Sequence, residues 1–284
     1  MPITRHVLLA SMLWAGSWAV PAAAGPSTVK FALEMDGRVV LPVRINGQGP
    51  FRMRLDTGAS RTVLAAGLAR RLGLAAQGRT RVMTPTGVDS SALARVDAVE
   101  AGCGGPVAVS ALVLPEAALD PTGSLDGLVG QDVLSALTYT IDYRCRRLTC
   151  HDALPARLPG LSLPLAIEGG RALVLVPVRD RPGIALVPDT GADRLVLFGD
   201  AAGHGLQVTP IDHVRLRSVS GQRRAQRVLI HGLELDGTAG AGREGLIVEA
   251  DGAGRWMGDG LLPLHHFARV TFDGPGGRLV VADR

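Results

Sequence analysis

Two short segments of the chain carry the same four residues, Asp56-Thr57-Gly58-Ala59 and Asp189-Thr190-Gly191-Ala192, set 133 residues apart. A single Asp-Thr-Gly run reads as an ordinary turn, because Asp and Gly dominate turns of every kind. Two copies in matching surroundings carry more. Each follows an apolar, strand-like run and precedes another, Thr62-Val63-Leu64 in one case and Leu195-Val196-Leu197 in the other. Two carboxyls brought together cannot both ionise at modest cost, so they hold one proton between them. Such a pair can accept a proton from water and donate one to a carbonyl oxygen, which is general acid–base chemistry.

The segments around these turns repeat at the same offset. Asp126-Gly127-Leu128-Val129 maps onto Asp259-Gly260-Leu261-Leu262, and each lies 70 residues after its Asp-Thr-Gly turn. Upstream, Val43 maps onto Val176, Phe51 onto Ile184 and Met53 onto Leu186. Independent matches at one offset read as a tandem duplication. Within each half the local pattern is that of strands. Val39 to Ile45 runs into Asn46-Gly47, a strong hairpin signal. Phe51 to Leu55 alternates apolar and basic residues, as a half-buried strand does. Leu64, Leu68 and Leu72 fall four apart and predict a short helix over 65–72. The expected fold is all-β, in two lobes with a few short helices. A Pro-bearing stretch without strand periodicity, 151–163, is expected to join a lobe over 25–150 to one over 164–284.

Composition agrees with that class. The 284 residues are 46% hydrophobic, enough for a packed core, and only 4% aromatic. With 37 Gly and 18 Pro, many short strands joined by turns fit better than long helices. Residues 1–24 read as a signal peptide: Arg5 and His6 precede an apolar run from Val7 to Val20, then Ala22-Ala23-Ala24 offers a cleavage site. Export to the periplasm or outside the cell is therefore expected, with no stable membrane anchor once the signal is removed. The net charge of +4 reads as an Arg-rich solvated face. Arg215, Arg217, Arg223, Arg224 and Arg227 cluster without interleaved aromatics, so no nucleic-acid partner is expected.

Three cysteines, Cys103, Cys145 and Cys150, allow three pairings. Cys145 and Cys150 are placed to staple a short hairpin, and spacing alone does not choose. No metal site is expected, because Cys145, Cys150 and His151 have the wrong spacing for zinc and lack a second cluster. The adjacent His265 and His266 face opposite sides of a strand and cannot chelate together. No Gly-x-Ser-x-Gly elbow is present. The stretch from Gly237 to Gly260 lacks the Lys and spacing of a phosphate loop and reads as a flexible connection.

Asp-Thr-Gly-Ala-Ser and Asp-Thr-Gly-Ala-Asp resemble the active-site signatures of retropepsin-like aspartic proteases. Asp126-Gly127-Leu128-Val129-Gly130 is similar to the family's later hydrophobic-hydrophobic-Gly segment. The resemblance implies two homologous acid-protease lobes with the site in the cleft between them, as in the fused, single-chain members. It implies an aspartic endopeptidase using a water activated by Asp56 and Asp189. Thr57 and Thr190 would bond the two turns together, and Gly58 and Gly191 would let backbone approach the carboxyls. Ser60 and Asp193 occupy the position that binds substrate main chain. Gly87 and Gly221 fall at the tips of hairpin flaps. A polypeptide substrate, no cofactor and a monomeric chain follow from the same resemblance.

Two departures stand out. Pepsin-like relatives carry Ser or Thr where this chain has Ala59 and Ala192, which predicts a less acidic pair and activity at weakly acidic to near-neutral pH. The second half reads Leu261-Leu262-Pro263 where the pattern asks for Gly, so the turn after that strand must differ. Together with Ser60 against Asp193, this keeps a second reading open: a catalytically weak peptide- or protein-binding module of the cell envelope with the same fold.

Overall fold

Alternating apolar residues build the first half strand by strand. The structure is a computed structural model that describes residues 27–120, 122–199, 205–218, 221–235, 242–249 and 258–283. The expected signal peptide, Val219 and Ser220 of the second flap, and most of the stretch from Gly237 to Gly260 lie outside the described residues. In chain order the first half comprises β1 (Thr28–Lys30), β2 (Ala32–Leu33), β3 (Val39–Ile45), β4 (Gln48–Leu55), β5 (Val63–Ala65), α1 (Ala66–Arg71), β6 (Ala76–Thr84) and β7 (Gly87–Glu100). It continues with β8 (Val107–Leu114), α2 (Glu116–Leu119), β9 (Gly127–Val129), α3 (Gln131–Leu134), β10 (Thr138–Asp142) and β11 (Arg147–Cys150). In β3, Leu41, Val43 and Ile45 are buried while Pro42 and Arg44 face out, the period-2 pattern of a one-sided strand. Asn46 and Gly47 both take positive φ, 48° and 75°, and close the hairpin to β4.

The second half comprises β12 (Leu161–Glu168), β13 (Arg171–Val178), β14 (Arg181–Asp189), β15 (Leu195–Phe198), β16 (Gln207–Ser218), β17 (Gly221–His231), β18 (Arg243–Val248), β19 (Gly260–Pro263), β20 (Arg269–Asp273) and β21 (Arg278–Ala282). The fold is all-β with three short helices among the described residues. The first sheet runs β2-β3-β4-β9-β5-β8-β7-β6, and a β3–β7 pairing curls it on itself. The second half runs β12-β13-β14-β19-β15-β18-β17-β16, the same order strand for strand. Between them, β1-β11-β10-β20-β21-β12 forms a platform to which both halves contribute. One hydrophobic cluster runs through all three parts, including Leu55, Val129, Tyr139, Leu186 and Phe272.

The repeated Asp-Gly-Leu segments explain themselves here. β9 lies parallel to β4 and antiparallel to β5, and β19 lies likewise between β14 and β15. A Cβ on Gly127 would overlap the Val63 carbonyl, and one on Gly260 the Val196 carbonyl, so only Gly lets these strands thread between their neighbours. The Asp before each Gly clips that strand in place. The Asp126 carboxylate accepts from Arg52 N at 2.9 Å, and the Asp259 carboxylate from Ala185 N at 2.8 Å.

Two expectations change. Cys103 bonds Cys150, leaving Cys145 free and exposed. The β10–β11 register puts Cys150 opposite Tyr139 at the base of the hairpin, remote from Cys145 in its turn, so those two cannot meet. The expected connector over 151–163 ends early, since β12 starts at Leu161 and pairs with β21. Leu163 and Leu165 are buried there, and their alternation outweighs the Pro signal. The turn after β19 differs from its counterpart as expected: Pro263, the last residue of β19, stands where Gly130 leads into α3, and a turn rather than a helix follows.

The Cys103–Cys150 bond ties the β7–β8 connection to the platform across 47 residues of chain. Reduction, or a Cys150→Ala change, is expected to cost about 2–4 kcal/mol of stability in denaturant titration. Peptide mapping without reduction should yield the Cys103–Cys150 pair and one free thiol at Cys145; any other pairing contradicts the fold.

Candidate active site

Each Asp-Thr-Gly turn sits where a threaded strand ends. Asp56 N donates to the Val129 carbonyl at 3.0 Å, fixing the first turn to β9. In the second half, Asp189 is the last residue of β14 and pairs with Pro263 of β19. The same pairing that defines the lobes thus delivers both acidic side chains to their facing ends.

The two turns are locked across the seam by four hydrogen bonds. Thr57 Oγ1 donates to the Pro188 carbonyl at 2.6 Å, and Thr190 Oγ1 donates to the Leu55 carbonyl at 2.6 Å. Each hydroxyl also accepts from the other turn, Thr190 N to Thr57 Oγ1 at 3.0 Å and Thr57 N to Thr190 Oγ1 at 3.1 Å. Both threonines are buried, so each pairing has no water to fall back on.

Around this lock the carboxyls converge. Asp56 Oδ1 accepts from Gly58 N at 3.1 Å and Ala59 N at 3.0 Å. Asp189 Oδ1 accepts from Gly191 N at 2.6 Å. A Cβ on Gly191 would meet Asp189 Oδ1 at 3.1 Å and Asp56 Oδ2 at 3.2 Å, so both acids face one point. A Cβ on Gly58 would press on the Asp189 carboxyl at 2.6 Å from its carbon. The glycines are required by that contact.

Burial raises the pKa of Asp56 above the usual carboxylate value, against the pull of the Ala59 amide, Arg54, the Gly58 amide and Arg38. Burial likewise raises Asp189, to about 7, and the negative charge of Asp56 adds to the rise. The asymmetry has a structural source. Arg54 acts on Asp56, while its counterpart at the 133-residue offset is the buried Val187. The cation favours the charged form of Asp56, and no such cation sits at the matching position beside Asp189.

The other predicted site residues lie around this centre. Ser60 is half-buried beside the β12–β13 turn, where a Cβ on Gly170 would come within 3.7 Å of its Cβ. Asp193 is exposed and pairs with Arg194 at 3.3 Å. Neither has a hydrogen bond to the carboxyl pair. Gly87 and Gly221 sit at the tips of the β6–β7 and β16–β17 hairpins. Those tips touch: Thr86 Oγ1 and Ser218 Oγ are 2.5 Å apart, and Ser218 Oγ donates to Thr84 Oγ1 at 3.0 Å. Among the described residues no group of three or more His, Cys, Asp or Glu could hold a metal ion.

Residues 41–133 match the protein family described as Aspartyl protease. Over that span the chain is similar to aspartyl proteases. The matched span holds the first Asp-Thr-Gly turn, the β6–β7 hairpin and the threaded β9. A solved structure of a retropepsin-like aspartic protease from Rickettsia conorii is similar at 22% identity, covering 44% of this chain and 89% of that one, with a TM-score of 0.34. No curated protein matches.

Two residues around the paired turns escaped the sequence reading. Gln131, buried at the start of α3, donates from Nε2 to the Thr57 carbonyl at 2.8 Å and steadies the first turn. Arg38 donates from Nε to the Gly191 carbonyl at 2.9 Å, reaching from one lobe to the turn of the other. The repeat offset itself held that signal, since it carries Arg38 onto Arg171.

Two expected outcomes follow from the lock and the buried proton. Thr57→Val leaves the Thr190 amide and the Pro188 carbonyl unpaired, and should cost about 1–3 kcal/mol for each orphaned group in urea unfolding. Thr57→Ser should recover most of that. A carboxyl with a raised folded pKa binds its proton more tightly than in the unfolded chain, so its stability is present below pH 3.8 and is lost as pH rises through about 7. The slope is at most about 1.4 kcal/mol per pH unit for one proton. Asp189→Asn should therefore raise the melting temperature relative to wild type at pH 8 and lose that advantage at pH 4.

Proposed function

We propose that the chain is an exported aspartic endopeptidase in which Asp56 and Asp189 activate one water for attack on a peptide carbonyl. The observation that carries this reading is the convergence of two carboxyls, Asp189 buried and Asp56 half-buried, on one point, locked by reciprocal threonine bonds. Asp56, favoured as the anion by Arg54 and two backbone amides, takes the proton from the attacking water. Asp189 gives its proton toward the carbonyl oxygen as the tetrahedral centre forms. No covalent intermediate arises. When the centre collapses, the carbon–nitrogen bond breaks and the departing amine is protonated from the pair.

The substrate in this reading is an extended polypeptide lying between the lobes, recognised largely through its backbone. Ser60 and Asp193 serve its main chain on opposite sides, and the two hairpins that bear Gly87 and Gly221 close over it. Their hydroxyl contact supports such a cover, which excludes water from the reacting bond. Each chain then carries a complete site as a monomer, works in the periplasm or beyond the cell, and descends from a duplicated single lobe.

The turn after Pro263, in place of an α3 counterpart, favours a second reading in which the chain binds peptides and cleaves them weakly. Gln131 has no equivalent there; Leu264 N instead makes a long 3.4 Å bond to the Asp189 carbonyl. Assay of purified protein on a diverse peptide library separates the two. Under the first reading Asp56→Asn and Asp189→Asn each lose about 10²–10⁴-fold in rate while remaining folded. Binding without turnover by wild type at every pH supports the second.

The pH dependence follows from the same protons. The competent form holds one proton, so kcat/KM should fall as pH rises past about 7, where Asp189 gives its proton up. It should persist at weakly acidic pH and decline only where Asp56 becomes protonated. A profile peaking near pH 2 contradicts the proposed electrostatics.

A further inference from the structure

Arg38 and Arg171 occupy matching positions before their respective turns, yet their surroundings differ. Arg38 is fully engaged, with Nε on the Gly191 carbonyl at 2.9 Å and Nη1 on Asp36 at 2.7 Å. The counterpart of Asp36 is Gly169, so the second hairpin offers no such carboxylate. Arg171 makes no hydrogen bond or ion pair among the described residues, and its Nε is buried without a partner. Glu168 stands opposite it in the β12–β13 hairpin but is exposed and forms no ion pair with it.

The location matters as much as the missing partner. The turn that bears Arg171 abuts Ser60, which stands where the repeat pattern has Asp193 in the other half. Position 60 holds a serine, whose hydroxyl brings no charge. The two sides of the site therefore differ in polarity. One presents Asp193 with Arg194, the other Ser60 with a sheltered cation. Burial lowers the pKa of Arg171, and the nearby Asp56 carboxylate partly offsets this. Asp56 does not hydrogen-bond the guanidinium, its Oδ1 being held by the Gly58 and Ala59 amides.

A guanidinium partly withdrawn from water, with its Nε buried and unpaired, gains from a carboxylate arriving with a ligand through a forked, charge-assisted pair. We propose that Arg171 is a specificity-determining residue that receives a substrate carboxylate on the Ser60 side of the cleft. The proposal deepens the endopeptidase reading and rests on it. The carboxylate comes from an acidic side chain or from the C-terminus of a short peptide, and both satisfy the same fork.

The test uses peptide pairs that differ only as Glu against Gln, scanned through every position flanking the cleaved bond, plus pairs ending in free acid or amide. Wild type should favour the carboxylate at one position by about tenfold in kcat/KM, the size expected of one charge-assisted contact. Arg171→Gln should abolish that preference, Arg171→Lys should retain part of it, and Arg171→Glu should shift it toward Lys. Circular dichroism melts establish that each variant is folded. A preference confined to the acid–amide pairs assigns the chain terminus as the source and still supports the proposal. Absence of any carboxylate preference in wild type, or its survival in Arg171→Gln, overturns the proposal while leaving the protease reading intact. Fluorescence anisotropy with the same peptides on Asp189→Asn, with and without Arg171→Gln, keeps the outcomes apart. If wild type cleaves nothing, the protease reading falls. Glu-over-Gln binding that depends on Arg171 still supports the contact, and equal or absent binding of the pairs overturns it.

Discussion

The structure turns on a single shared constraint: two acidic groups are buried at a seam where neither half of the chain can hold them alone. Each threonine hydroxyl is satisfied only by backbone from the other half, and each backbone amide it accepts from belongs to the other half. With the threonines buried, separation of the lobes would orphan all four bonds at once. The site is consequently a property of the assembled chain. This coupling also explains why a pair of destabilised carboxyls persists, since the surrounding lock over-determines their position.

The positioning of the seam is delegated to two threaded strands. β9 and β19 are held on one side by parallel pairing, on the other by antiparallel pairing, and at their start by an aspartate clip on a backbone amide. Glycine is needed where they pass between neighbours, because any side chain would meet a carbonyl. The platform of six strands joins the two halves, and the Cys103–Cys150 bond ties the β7–β8 connection of the first half to that platform. Packing and strand pairing in the platform resist the same motion as the threonine bonds, the parting of the two turns.

The near-symmetry of the backbone does not extend to charge. Arg54 has Val187 as its counterpart, Asp36 has Gly169, Ser60 faces Asp193, and Gln131 gives way to Leu264. Each difference biases one half relative to the other. The first favours the charged form of Asp56; the second leaves Arg171 without the partner that Asp36 gives Arg38. A chemical step that moves a proton in one direction benefits from such bias, which two identical subunits cannot encode in sequence. Here one chain can.

Much of this was legible in the residues alone. The offset of 133, the paired Asp-Thr-Gly turns, the Asp-Gly-Leu segments, the all-β class and the hairpin at Asn46-Gly47 all rest on local patterns, and local patterns survive without coordinates. The disulfide partner, the start of β12 inside the expected connector and the hydrogen-bond roles of Arg38 and Gln131 did not. Those depend on which strand lies beside which, and Cys103 meets Cys150 only because β11 joins the platform next to the β7–β8 connection. What the order of amino acids determined by itself was the identity and repeat spacing of the paired Asp-Thr-Gly turns, since spacing is a one-dimensional property. What tertiary structure alone decided was their shared burial, their unequal charge environment and the unpaired guanidinium beside them, because electrostatics follows distance through space.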